Sequence, residues 1–138
     1  MNGYVLLETI LAFSFFLIIV SIVPLFIVVF GNDNDERIYE QEVELFFQQL
    51  ARELKKAKTV FVEEDKIHFS TMEGELVTIE KYGDKVRRQV FQSGHEVMLQ
   101  KIKDMTVRYV KNGVVVIIAD VNGKVYERRI SLLYRIAG

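Results

Sequence analysis

The sequence predicts an α+β protein in which one long N-terminal helix, membrane-spanning in its first half and amphipathic in its second, packs on an antiparallel β-sheet. Three observations predict it. Thr9 to Phe30 contains no charged residue. Glu36 to Lys58 repeats its apolar residues at spacings of three and four, the period of a half-buried helix. From Thr59 onward, short β-rich runs are separated by turn residues, the pattern of a meander.

The apolar run comes first. As a helix rising 1.5 Å per residue it spans the ~30 Å hydrocarbon core of a bilayer. Thr9, Ser14, Ser21 and Pro24 are its clear interruptions. A cleaved secretory signal fits less well. The run exceeds an h-region of about 7–15 residues, no basic n-region precedes it, and Gly31-Asn-Asp-Asn-Asp35 is not a small-x-small cleavage site. Acidic residues follow the run where a cytoplasmic flank would carry Lys or Arg, so the N-terminus is expected inside and residues 31–138 outside. One residue stands apart. Glu8 is a carboxylate at the edge of this segment, and an acid at the bilayer centre costs roughly 2.5–3.5 kcal/mol, less near the interface.

Gly31 to Asp35 has the composition of a break, and Asp33 with Glu36 fits a capping box that restarts the helix. The stripe that follows is Tyr39, Val43, Phe46, Phe47, Leu50, Leu54 and Ala57. Acids cluster early in this segment and lysines late, which suits the helix dipole. Strands are expected at Thr59–Val62 and Lys66–Ser70 around an acidic turn, and at Glu75–Tyr82 and Lys85–Phe91 around Gly83-Asp84. A further set is expected at Met105–Val110, Val114–Asp120 and Lys124–Leu133. Asn112-Gly113 and Asn122-Gly123 separate these last three, and Asn-Gly favours the turns that join antiparallel strands. Two such turns in succession imply a three-stranded meander.

Composition narrows the chemistry. The chain has no cysteine, so the outer region is stabilised without disulfides. His68 and His95 lack metal-ligand spacing, and no phosphate loop, nucleophile elbow or HExxH motif occurs. His68, between Ile67 and Phe69, reads as the polar face of a strand. Ser93-Gly94-His95-Glu96 reads as a turn. No enzyme activity, metal, cofactor or small-molecule substrate is expected. The basic residues Lys85, Arg87, Arg88, Arg128, Arg129 and Arg135, with the pairs Arg108-Tyr109 and Tyr134-Arg135, raise nucleic-acid binding. Yet Glu8 is the only charge before residue 31, so residues 31–138 carry 18 basic and 18 acidic side chains. That balance gives no electrostatic footprint for phosphate. Direct DNA binding is not expected, and the arginines read as a solvated face or as cross-strand partners of glutamates.

Gly3, an aromatic Tyr4, Val-Leu-Leu, Glu8 and then an apolar run containing Pro24 resemble the class III leader and first helix of type IV pilins and pseudopilins. The resemblance implies cleavage by a prepilin peptidase between Gly3 and Tyr4 and N-methylation of Tyr4. It makes Glu8 the assembly carboxylate and Pro24 the helix kink. Phe47-Gln-Gln-Leu50, Val86-Arg-Arg88, Gly94-His-Glu-Val-Met-Leu-Gln100 and Val125-Tyr-Glu127 resemble the ComGF family, minor pseudopilins of the competence pilus used for DNA uptake. The resemblance implies a leader at 1–3, a transmembrane helix at 4–30, an amphipathic helix at 31–58 and an extracytoplasmic β domain at 59–138. Its implied partners are the prepilin peptidase, other minor and major pseudopilins, and membrane lipid crossed once. The implied place is the cell membrane, and the cell surface once assembled. Two other readings share parts of this pattern: a minor pseudopilin of a type II secretion system, and a single-pass membrane protein with an extracytoplasmic binding domain.

Overall fold

A computed structural model describes residues 2–133, with the side chains of residues 2 and 30–34 outside that description. Its elements are helix α1 (Asn2–Lys56) and strands β1 (Thr59–Glu63), β2 (Lys66–Ser70), β3 (Leu76–Tyr82), β4 (Lys85–Val90), β5 (Ser93–Leu99), β6 (Ile102–Val110), β7 (Gly113–Asp120) and β8 (Val125–Ser131). Two compact units divide the chain, one ending at Gln41 and the other beginning at Glu42.

The first unit is helical throughout its described residues. The backbone stays helical from Phe30 through Asp35, where a break was expected. The Asp33 cap falls among side chains outside the description, and Tyr134 and Arg135 likewise lie outside the described residues. Pro24 sits inside the helix. Its ring nitrogen carries no hydrogen, so the Val20 carbonyl loses its usual backbone donor.

In the second unit, the helical stripe does what its spacing implies. Val43, Phe46, Phe47, Leu50, Leu54 and Ala57 are all buried. Lys55 and Lys56 occupy the last turn, where positive charge suits the exposed carbonyls. The Lys58 N–H then bonds the Ser70 carbonyl at 2.8 Å, and the chain enters the sheet region.

Two antiparallel sheets follow rather than one. The first is the meander β1-β2-β3-β4-β5 and the second the meander β6-β7-β8, the latter as expected. The chain leaves β5 through Lys101, whose φ of 56° turns the backbone sharply. The Ile102 N–H then bonds the Asp84 carbonyl at 3.0 Å, and the Val121 N–H bonds the Lys101 carbonyl at 3.0 Å. These bonds redirect β6 so that it does not pair with β5. The sheets meet instead at β1 and β6. The Val62 N–H donates to the Tyr109 hydroxyl, and the Val107 N–H donates to the Asp65 carboxylate at 2.9 Å. Side chains thus satisfy backbone donors that a strand ladder would otherwise take up.

Strand alternation sorts the faces. Ile67, Phe69, Val77, Ile79, Val86 and Leu99 of the first sheet are buried with Met105, Val107, Val114, Val116, Ile118 and Ile130 of the second. The helix reaches both sheets, through Glu53 with Arg88 of β4 and Glu44 with Arg128 of β8.

The turns show why glycine is where it is. Glu64 and Asp65 have φ of 47° and 59°, and Phe91 and Gln92 have 50° and 60°, so these hairpins close in left-handed geometry without glycine. Val110 pairs with Gly113, so the loop between β6 and β7 is Lys111-Asn112, one residue earlier than Asn-Gly predicts. Gly113 serves close approach instead. A Cβ there would lie 2.3 Å from the Ile130 carbonyl oxygen on β8. The β7–β8 loop is closed by buried Asp120, whose carboxylate accepts from the N–H groups of Asn122 at 2.8 Å and Lys124 at 2.9 Å. Gly123, at φ of 88°, completes it.

Gly113→Ala is expected to destabilise the protein by about 1–3 kcal/mol, since the obstructing atom belongs to backbone and cannot turn aside. Leu50→Ala, at the fully buried centre of the helix stripe, is expected to cost about 2–5 kcal/mol. Denaturant unfolding of the full chain in detergent measures both. An unchanged midpoint for Gly113→Ala would refute the close-approach account.

Candidate functional site

Helix α1 places Gly3, Tyr4 and Glu8 in its opening turns. Tyr4 and Glu8 are four residues apart and so lie one turn apart on the same face. Tyr4 is 83% exposed, and the large apolar side chains from Val5 to Val29 are exposed as well. Among the described residues nothing covers this surface, and none of the segment Gly3–Val29 is buried. Its 27 residues make a helix long and apolar enough to cross a membrane. The hydroxyls of Thr9, Ser14 and Ser21 donate to the carbonyls of Val5, Ile10 and Leu17, at 2.7, 2.8 and 2.7 Å. Their polarity is thereby met within the helix, as lipid requires.

Gly3 has no internal explanation. A Cβ there would meet nothing within 4 Å, and its φ is not in the left-handed region. Glycine in a helix costs about 1 kcal/mol relative to alanine. Neither the packing nor the backbone of this chain calls for it.

The second unit gathers its polar groups on the outer face of the five-stranded sheet. Phe61 stacks on His68 with ring centroids 4.7 Å apart, and His68 Nδ1 lies 3.0 Å from the Thr78 hydroxyl. His68 therefore belongs to the polar face of β2, as its place between Ile67 and Phe69 implies. Beside it, Arg87 donates from Nε and Nη2 to the Glu80 carboxylate at 2.9 and 2.6 Å. Lys66 approaches the other oxygen of Glu80 at 3.4 Å. The Arg87 guanidinium lies 3.9 Å from the Tyr82 ring centroid, and His95 meets that ring edge-on at 5.4 Å. Burial alone would raise the Glu80 pKa. The hydrogen bonds and charges of Arg87 and Lys66 outweigh it and hold the carboxyl below its ordinary 4.5.

On the inner row, Arg88 bridges Glu53 of the helix at 3.0 Å and Glu96 of β5 at 3.4 Å. Arg87 and Arg88 are thus the cross-strand partners of glutamates that the sequence suggests. Arg128 differs, since its partner is Glu44 of the helix. Ser93-Gly94-His95-Glu96 is not a turn but the opening of β5, and the turn itself is Phe91-Gln92. Two positive-φ residues there replace the Gly-bearing turn that the sequence suggests. Glu80 and Arg87 stand equidistant from Gly83-Asp84, so hairpin register would have paired them. The link from Arg88 to Glu53 crosses 35 residues and left no such signal. Among the described residues no cluster of His, Asp and Glu is arranged to hold a metal.

The long apolar helix and the helix packed on antiparallel strands define an α+β, pilin-like arrangement with one candidate membrane span. The family model of competence protein ComGF matches residues 30–126, and the chain belongs to that family. No curated protein and no solved structure matches it.

Because the folded pKa of Glu80 is lowered, its contribution to stability is complete above about pH 4.5 and is lost as pH falls through the folded value. Glu80→Gln is expected to flatten that acid limb while leaving stability near pH 7 lower than wild type. Unfolding midpoints across pH 3–7 read both effects, and an unchanged acid limb would refute the assignment.

Proposed function

We propose that this chain is a minor pseudopilin of a competence pilus, needed for pilus initiation and hence for natural transformation. The observation that carries the reading is a span headed by Gly3, Tyr4 and Glu8, none of them required by the chain's own packing, on a ComGF-family domain. Glycine without a steric reason suits a peptidase that must close on backbone.

Cleavage after Gly3 hydrolyses one peptide bond and creates a cationic amine on Tyr4. In a bundle of such helices, Glu8 of one subunit pairs with the Tyr4 amine of a neighbour. Two charges that are each expensive in lipid are then removed together, and a misregistered neighbour leaves the carboxylate unpaired. Methylation of the Tyr4 amine retains its charge. The exposed apolar side chains pack as the filament core, with Ser14 and Ser21 permitting close approach. Pro24 supplies a point of bending. Before assembly the subunit waits in the cell membrane, N-terminus cytoplasmic and β domain outside. Other pilus subunits are its partners. DNA uptake depends on it through assembly rather than through direct contact.

The mature protein is expected to begin at methylated Tyr4 by intact-mass measurement, and Gly3→Arg to accumulate the uncut chain. Deleting the gene is expected to abolish pili and transformation, and Glu8→Gln to leave cleavage intact while blocking assembly. Normal processing of Gly3→Arg together with normal transformation of the deletion strain would overturn the proposal.

A further inference from the structure

The two sheets have four edges between them, and they are not equivalent. Edges β1 and β6 close on each other through Asp65 and Tyr109. Edge β8 carries adjacent Arg128 and Arg129, the kind of charge that discourages strand addition. Edge β5 pairs with β4 alone, and among the described residues no strand lies on its other side. From His95 to Leu99 its one ionic group is Glu96, whose side chain is still 56% exposed beside Arg88.

Apolar side chains gather along this same rim. Leu45 is 63% exposed and Val97 38%, and both line one groove. Such clustering marks an interaction surface more than scattered exposure does. Leu45, Phe46 and Gln49 of the helix form a shallow groove with Val97, Met98 and Leu99 of β5. Strand β5 is irregular beside this groove. Val86 pairs with Leu99 and Arg87 with Val97, which makes Met98 the extra residue of a bulge. Glu42 completes the wall, and no basic side chain lines it.

We propose that β5 and the helix face bearing Glu42 and Leu45 form a docking surface for a short extended segment of another protein, one that alternates apolar and basic side chains. Backbone bonds along His95–Val97 hold the segment, an apolar side chain enters the groove, and a Lys or Arg reaches Glu42 or Glu96. The bulge at Met98 limits the pairing to a few residues. A second copy of this chain, offering a seven-residue strand, meets that bulge and is disfavoured.

The probe is a labelled hexapeptide of alternating valine and lysine, titrated by fluorescence anisotropy against the full chain in a neutral maltoside detergent. Saturable binding is expected, with slowed amide exchange confined to β5. A valine–glutamate peptide is expected to bind at least about tenfold more weakly, and Glu42→Lys and Leu45→Ser each to weaken the lysine peptide about tenfold, some 1.4 kcal/mol. Both substitutions lie at the surface, and circular dichroism confirms that each variant keeps its fold. Equal binding of the two peptides, full binding to Leu45→Ser, or protection away from β5 would each overturn the proposal. So would concentration-dependent self-association that Leu45→Ser abolishes, which would make a second copy the occupant. The measurement involves neither processing nor transformation, so its failure is distinct from failure of the pseudopilin reading.

Discussion

Burial of one face of a single helix is the constraint on which the folded domain depends. Val43, Phe46, Phe47, Leu50, Leu54 and Ala57 supply an apolar base for two sheets that share no strand ladder. Neither meander alone could bury its inner face, and a domain without cysteine has no covalent means of holding them together. The helix also fixes both sheets laterally, by Glu53 to Arg88 on one side and Glu44 to Arg128 on the other. Partly exposed pairs of this kind contribute little energy each. Their value lies in orientation, with the core providing the free energy.

The same helix carries two kinds of surface. Among the described residues nothing packs over Tyr4, Leu6 and Phe13 in its first turns, while its last turns put Val43, Phe46, Phe47, Leu50 and Leu54 inside. Hydroxyls follow the same logic, turned onto the carbonyls four residues back at Thr9, Ser14 and Ser21. In the β domain, polar side chains are instead tied to one another across strands, as in the Lys66, Glu80 and Arg87 group. Groups tied to one another in this way hold a fixed arrangement on the sheet face.

Much of this was legible in the residues. Helical spacing predicted the buried stripe because burial follows geometry, and the final meander followed from its turn residues. The failures have physical reasons as well. Asn112-Gly113 suggested a turn, but glycine there answers a clash with Ile130 from a strand that local sequence cannot see. Phe91-Gln92 adopts a left-handed turn without the usual residues and so carried no signal, whereas the equally glycine-free turn at Glu64-Asp65 was expected from the β-rich runs around it. Gly31 to Asp35 looked like a break because composition registers propensity, and helical structure on both sides overrode it. The division into two sheets falls at Lys101, a left-handed residue that composition did not mark. At the N-terminus, Glu8 stood out as an acid at the edge of an apolar run and Gly3 only through the resemblance to prepilin leaders, and the structure adds that a Cβ at Gly3 would meet nothing within 4 Å among the described residues.

The junction of the sheets has one more consequence. Asp65 and Tyr109 join β1 to β6 by reaching across with side chains, so no residue of one meander is in register with a residue of the other. A one-residue insertion in β7 or β8 would shift pairing within that meander and leave the Asp65 and Tyr109 bonds in place, whereas one in β6 between Val107 and Tyr109 would pull those two bonds out of step. The domain is in this sense divided into compartments. A change of strand length in one half leaves the ladder of the other intact, with Asp65, Tyr109, the bond from Ile102 to Asp84 and the shared helix face as the ties between them.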